Sequence, residues 1–137
     1  MKIFNNLEEM KPYYNEETNT YEFIENNRLI DVKIDFDLNI GCNINARDFI
    51  SRNIKARNIR ARDINSDNIN AWDIKAKYII ARDISAENIN ANNILYYSVC
   101  YASSEFVCNS IKGTRPNSKY FCLDSEIVIK GDKKNVK

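Results

Sequence analysis

The chain contains no histidine. That absence removes the commonest general base and the imidazole ligand of most catalytic metal sites, so hydrolytic triads and metallohydrolase chemistry have no starting point. Its three glycines and two prolines are too few for a glycine-rich phosphate loop or a proline-rich linker. No stretch reaches the ~18 consecutive apolar residues of a membrane span, and Met1-Lys2-Ile3-Phe4-Asn5-Asn6-Leu7-Glu8-Glu9 lacks a signal-peptide core. A soluble, cytoplasmic chain with no membrane partner is expected. Charge of either sign is not in excess: 20 Lys and Arg against 19 Asp and Glu leave +1, which excludes both a uniformly basic coat and an acidic mimic of DNA. The four cysteines, Cys42, Cys100, Cys108 and Cys122, are too widely spaced for a zinc knuckle and read as buried thiols. Neither a metal nor a cofactor is implied.

What is present is a beat. From Ile44 to Val99 an apolar residue falls at every fifth position: Ile44, Phe49, Ile54, Ile59, Ile64, Ile69, Ile74, Ile79, Ile84, Ile89, Ile94 and Val99. Two residues after almost every one sits a small residue, as at Ala46, Ser51, Ala56, Ala61, Ser66, Ala71, Ala76, Ala81, Ala86 and Ala91. A period of five fits neither the 3.6 of a helix nor the 2 of a strand, so the repeat is one unit of a stacked solenoid. The apolar residue and the small one point inward together, and the next three residues turn a corner. Just before each Ile come Asp48, Asn53, Asn58, Asp63, Asn68, Asp73, Asp83, Asn88 and Asn93. These residue types suit corners because their side chains bond nearby backbone, and stacked corners can form amide ladders.

The 137 residues divide into three parts of one all-β domain. Residues 1–42 form an N-terminal β cap and lead-in strand: a turn at 15–20 between Tyr13-Tyr14 and Tyr21-Glu22-Phe23-Ile24 predicts a β-hairpin, and Ile30 to Ile44 alternates apolar with polar residues. Residues 43–102 are the solenoid. Residues 103–137 form a C-terminal β cap, with a turn at Gly113-Thr114-Arg115-Pro116-Asn117-Ser118 and a short basic, disordered tail from Gly131. Caps serve a purpose, since the raw strand edges of a stack would recruit other chains.

The repeat resembles the pentapeptide-repeat proteins, a resemblance that covers about twelve units and under half of the chain. It implies a right-handed β-helix, four-sided in the usual case. The usual family unit runs small, x, large; here the order is large, x, small, as in Ile64-Asn65-Ser66 and Ile69-Asn70-Ala71. A three-sided tube with fifteen residues per coil therefore stands beside the favoured four-sided one with twenty. Asparagine (21) and isoleucine (20) dominate the composition, as in coding from AT-rich genomes. The Ile-x-Ala-Arg/Trp-Asp runs, followed by a Cys- and Tyr-rich tail, are similar to those in proteins of low-GC bacterial phages. This resemblance implies a phage or bacterial factor that occupies a host nucleic-acid-handling or defence protein.

On four sides, residues twenty apart stack at ~4.8 Å. The outward ladders become Arg47/Asp67/Glu87, Arg52/Trp72/Asn92, Arg57/Lys77 and Arg62/Arg82, and Lys55, Arg57, Lys75 and Lys77 share one side. That side reads either as a contact for nucleic-acid phosphate or an acidic protein, or as a solvated face that resists aggregation. Trp72, the only tryptophan, points outward beside Arg52 and reads as an interface anchor or as a ring lying over its cationic neighbour. Ile50, Ile80 and Leu95 also point outward. Tyr96, Tyr97 and Tyr101 either plug the tube or form a homodimer seam at its end. No residue is a catalytic candidate, and an enzyme is not expected. The favoured reading is a rigid scaffold that binds a host protein or protein–nucleic-acid complex; direct nucleic-acid binding and a self-assembling rod are the alternatives.

Overall fold

A computed structural model describes residues 1–131. It is an all-β solenoid of about six turns, 64% strand. The elements are β1 (Lys2–Phe4), α1 (Leu7–Met10), β2 (Tyr14–Asn15), β3 (Thr20–Glu22), β4 (Ile24–Glu25), β5 (Arg28–Leu29), β6 (Val32–Ile34), β7 (Leu38–Asn39), β8 (Asn43–Asn45), β9 (Asp48–Ser51), β10 (Asn53–Lys55), β11 (Asn58–Arg60), β12 (Asp63–Asn65), the long β13 (Asn68–Cys108) that runs around the corners, β14 (Ser110–Gly113), β15 (Lys119–Cys122) and β16 (Val128–Ile129).

The strand register gives three sides. Ile44, Ile59 and Ile74 pair in succession, as do Phe49, Ile64 and Ile79, and Ile54 pairs with Ile69, each a step of fifteen residues. The four-sided tube with its twenty-residue step is therefore corrected to a triangle. The large-x-small order of the unit fits this cross-section. In β10, β11 and β12 the Ile is the middle residue of the strand, while Ala56, Ala61 and Ser66 follow the strand's end at the corner. Where two sides of a triangle converge there is room for little more than a methyl, and the branched side chains fill the middle. We call the sides I (Ile44, Ile59, Ile74, Ile89), II (Phe49, Ile64, Ile79, Ile94) and III (Ile54, Ile69, Ile84). All of these inward residues are buried.

Corner amides ladder at the same step: Asn68 Nδ2 donates to Asn53 Oδ1 at 2.7 Å, and Asn88 Nδ2 to Asp73 Oδ1 at 2.7 Å. At the two coils where the inward small residue is serine, Ser51 and Ser66 bond one another at 2.8 Å and Ser66 also donates to the Arg52 carbonyl at 2.6 Å, so neither buried hydroxyl is left unpaired.

Below the repeats the stack is closed as expected by a hairpin, with Tyr14 opposite Tyr21 in β2 and β3. Two elements there were not read from the sequence. A short helix, α1, is capped by Asn6, whose side chain accepts from the Glu9 amide, and it drops Met10 into the end of the core beside Phe4 and Phe23. A second hairpin, β4 with β5, turns at Asn26 and Asn27, both with positive φ, as a two-residue turn of the type that matches strand twist. The alternating stretch from Ile30 to Ile44 is not one straight strand. It is the first coil, with Val32, Leu38 and Ile44 stacked under Phe49, Ile54 and Ile59.

Above Ile94 the beat slips by one residue. Three residues rather than two follow Tyr96, so Cys100, not Val99, takes the inward place, with Ala102 after it. The chain beyond continues the stack: Ile111 lies on Ile94, Tyr120 on Cys100 and Ile129 on Cys108, all parallel. Gly113 is required here, because a Cβ would stand 2.0 Å from Ser118 Oγ. Tyr96 is buried and Tyr101 stacks on Phe121 at 5.2 Å, while Tyr97 stays exposed. The expected disordered tail lies, past Gly131, outside the described residues.

Of the four thiols, Cys100 and Cys108 are buried and Cys42 and Cys122 half-buried. Burial pushes the Cys100 thiol well above its usual range. The folded chain therefore holds this proton after the unfolded chain has released it, and the stability concerned is present below the unfolded thiol's pKa of about 8.5 and lost as pH rises beyond it. Unfolding free energies from urea titrations should fall by about 2 kcal/mol in total between pH 8 and 10 through this group, a fall absent in Cys100→Ala.

Candidate functional site

Each side presents the same three outward positions in every coil: the residue before the Ile, the residue after it, and the corner residue after the Ala. The three sides thus act as controls for one another. On side III the middle ladder is Lys55 and Asn70. On side II it is Ile50, Asn65 and Ile80. On side I it is Asn45, Arg60 and Lys75.

The corner ladders differ as well. Between sides II and III, Arg52, Asp67 and Arg82 alternate in sign, as the amides of Asp67 and Arg82 bonding the carbonyls one coil below establish. At the upper edge of side I, Arg47, Arg62 and Lys77 stack in the same way without an acid between them. Two of these are compensated sideways: Arg47 grips Asp31 at 2.7 and 2.8 Å, and Arg62 grips Asp48 at 3.1 and 2.8 Å. The Arg47 guanidinium holds the Asp31 carboxyl below its usual range.

Side I therefore carries a block of four cations, Arg60 and Lys75 on its middle ladder with Arg62 and Lys77 on its corner. They line a groove of about 400 Å³ together with Asn90 and Asn92. Among the described residues Arg60, Lys75 and Lys77 form no ion pair. Neighbours along a ladder are ~4.8 Å apart and alternate residues of one strand ~6.7 Å apart, a spacing close to that of successive phosphates. Three acids border the block: Asp73 on the opposite margin, occupied by Asn88, Glu87 one coil above Trp72 on that corner, and Glu22 at the lower end of the middle ladder, two coils below Arg60. In a separate, neighbouring depression lined by Asn45, Asn58, Arg60, Asp73 and Lys75, Asn45 Oδ1 and Asn58 Oδ1 are buried without a hydrogen-bond partner.

This is not the array expected from the sequence. Lys75 and Lys77 belong to it, but Lys55 lies on side III and Arg57 on the corner between sides III and I, so the four do not share a face. Trp72 also moves. Its amide bonds the Arg57 carbonyl at 2.6 Å and its ring lies under the Arg57 guanidinium at 4.4 Å, so the cation beside it is Arg57 rather than Arg52. The ring remains 52% exposed and leads directly, through Asp73, onto side I. Arg52 stands a full side away. The sequence shows Arg60 and Arg62 within a run of six cations from Arg47 to Arg62, but a twenty-residue step disperses them away from Lys75 and Lys77; the fifteen-residue step brings the four together.

No helix among the described residues is long and apolar enough to cross a membrane. Comparison with known proteins matched no family model, no curated protein and no solved structure.

Proposed function

We propose that this protein is a non-enzymatic rigid scaffold that engages a polyanion, nucleic-acid phosphate in particular, along side I. The observation that carries the reading is the unpaired block of Arg60, Lys75 and Lys77 beside Arg62. Like charges on adjacent strands oppose folding, and the neighbouring corner, Arg52 to Asp67 to Arg82, shows the same repeat interleaving an acid. A run of cations left uncompensated at rigid spacing favours a ligand that supplies the missing charge. Trp72 at the lower margin adds a half-exposed ring on which a base can stack, the combination that single-stranded nucleic acid uses. The likeness to pentapeptide-repeat proteins and to phage proteins belongs with this reading: a scaffold whose partner is a host nucleic acid, alone or in its complex with protein.

The test is a titration with labelled single-stranded and duplex oligonucleotides, followed by anisotropy and by the fluorescence of the only tryptophan. Binding should quench Trp72, and with about four phosphate contacts a single-stranded ligand should lose ~50-fold in affinity between ~50 and ~200 mM salt. An absence of binding at ~50 mM salt removes the proposal.

A further inference from the structure

Side II differs from the other two in a second way. Its middle outward ladder runs, coil by coil, through Ile3, Lys33, Ile50, Asn65, Ile80, Leu95 and Lys112. Within the repeat coils the equivalent residues on side I (Asn45, Arg60, Lys75, Asn90) and side III (Lys55, Asn70, Ser85) are polar or charged, and only in the coils above do Tyr101 with Phe121 and Val107 with Val128 bring apolar groups to those sides. Ile80 is 47% exposed, Leu95 37% and the adjacent Tyr78 50%. Together with Ile50 and Met1 they line a shallow groove of about 560 Å³. Single exposed apolar residues are ordinary, but a ladder of them on one flat side of a repeat, with polar residues at the same position on the other sides, is not.

We infer that side II is the face through which two copies of this chain associate. The face is self-complementary. A two-fold axis lying across it between the Asn65 and Ile80 strands reverses the order of the coils. It sets Ile50 of one copy opposite Leu95 of the other, Asp67 opposite Arg82, and the Tyr78 hydroxyl opposite the Asp63 carboxylate. Each contact occurs twice, as a closed two-fold interface requires. Asn65 meets Ile80 without a partner group, and Lys33 and Lys112 meet at the two ends, where water reaches them. The extent is sufficient: six strand steps of ~4.8 Å by five residues of ~3.3 Å give a footprint of about 29 by 16 Å on each copy. Side-chain relief raises the accessible area above that footprint, and the pair reaches the about 1,000–1,200 Å² at which specific interfaces begin. The association leaves side I outward on both copies and is independent of what that side binds.

Sedimentation velocity of the full chain over a concentration series tests this. The wild type should pass from monomer to dimer and no further. Ile80→Lys should weaken the dimer at least ~10-fold with an unchanged far-ultraviolet circular dichroism spectrum. Asp67→Arg should weaken it also, and adding Arg82→Asp to Asp67→Arg should restore it, because across the interface the two residues face each other only in the reversed arrangement. Since they are also neighbours on one chain's corner ladder, urea midpoints of the same variants in the Ile80→Lys background should change too little to account for the loss and recovery. A chain that stays monomeric at about 100 µM, that forms open-ended assemblies, or whose dimer is indifferent to Ile80→Lys, overturns the inference. So does a charge exchange that fails to restore what the single reversal removes.

Discussion

Replacing Ile79 with alanine should lower the stability of the protein by about 2–5 kcal/mol, while the same replacement at Ile80, one residue on, should change it by less than about 0.5 kcal/mol in dilute solution. The two residues are chemically identical and adjacent in the chain. Ile79 is 1% exposed and stacked on Ile64, whereas Ile80 is 47% exposed. Truncation at Ile79 opens a cavity between coils that cannot close, because the backbone ladders fix the coil spacing at ~4.8 Å. The damage is also central. In a stack whose coils contact only their neighbours, weakening one middle junction uncouples the halves on either side of it. Urea midpoints followed by circular dichroism measure both variants, and a second transition in Ile79→Ala would mark the uncoupling.

Reversing three charges on side I, Arg60→Glu with Lys75→Glu and Lys77→Glu, should abolish oligonucleotide binding, a loss of more than about 100-fold at ~50 mM salt. The fold should survive, since all three side chains point to solvent and form no ion pair among the described residues. The control reverses two cations away from the block, Lys55→Glu on side III and Arg52→Glu on its corner, and is compared with the side I variant per charge reversed. These lie away from the block and should cost less than about 5-fold, through the general field of the molecule alone. Anisotropy titrations of both variants decide the matter. Equal losses per charge reversed in the two would mean that net charge, and no particular face, governs binding.

The five-residue beat was sufficient to read the architecture, because a large and a small inward residue in every unit leave only a stacked tube. It was insufficient for the number of sides. Ile and Ala alternate identically whether three or four units close a coil, and the difference lies in the angle of the corner that Ala occupies. That angle decided which charges meet: Arg60 with Lys75 and Arg57 with Trp72, instead of Lys55 with Lys75 and Arg52 with Trp72. At the N-terminus, Asn6 with Glu9 was a readable helix start, and Asn26-Asn27 a readable hairpin turn. Both are short enough that their outlines merge into a polar stretch. At the other end the slip at Cys100 follows from one extra residue among bulky rings, which breaks the count without breaking the stack.

The fifteen-residue coil underlies both the cation block and the apolar face, and paired spin labels measure it directly. In a background with Cys42→Ser and Cys122→Ser, labels at Lys55→Cys with Asn70→Cys occupy adjacent strands, and their spectra should broaden strongly by dipolar coupling over ~5 Å of backbone separation. Labels at Lys55→Cys with Lys75→Cys sit on different sides and should give the sum of the single-label spectra. Broadening in the second pair and none in the first would contradict the three-sided coil, and with it the placement of every outward residue.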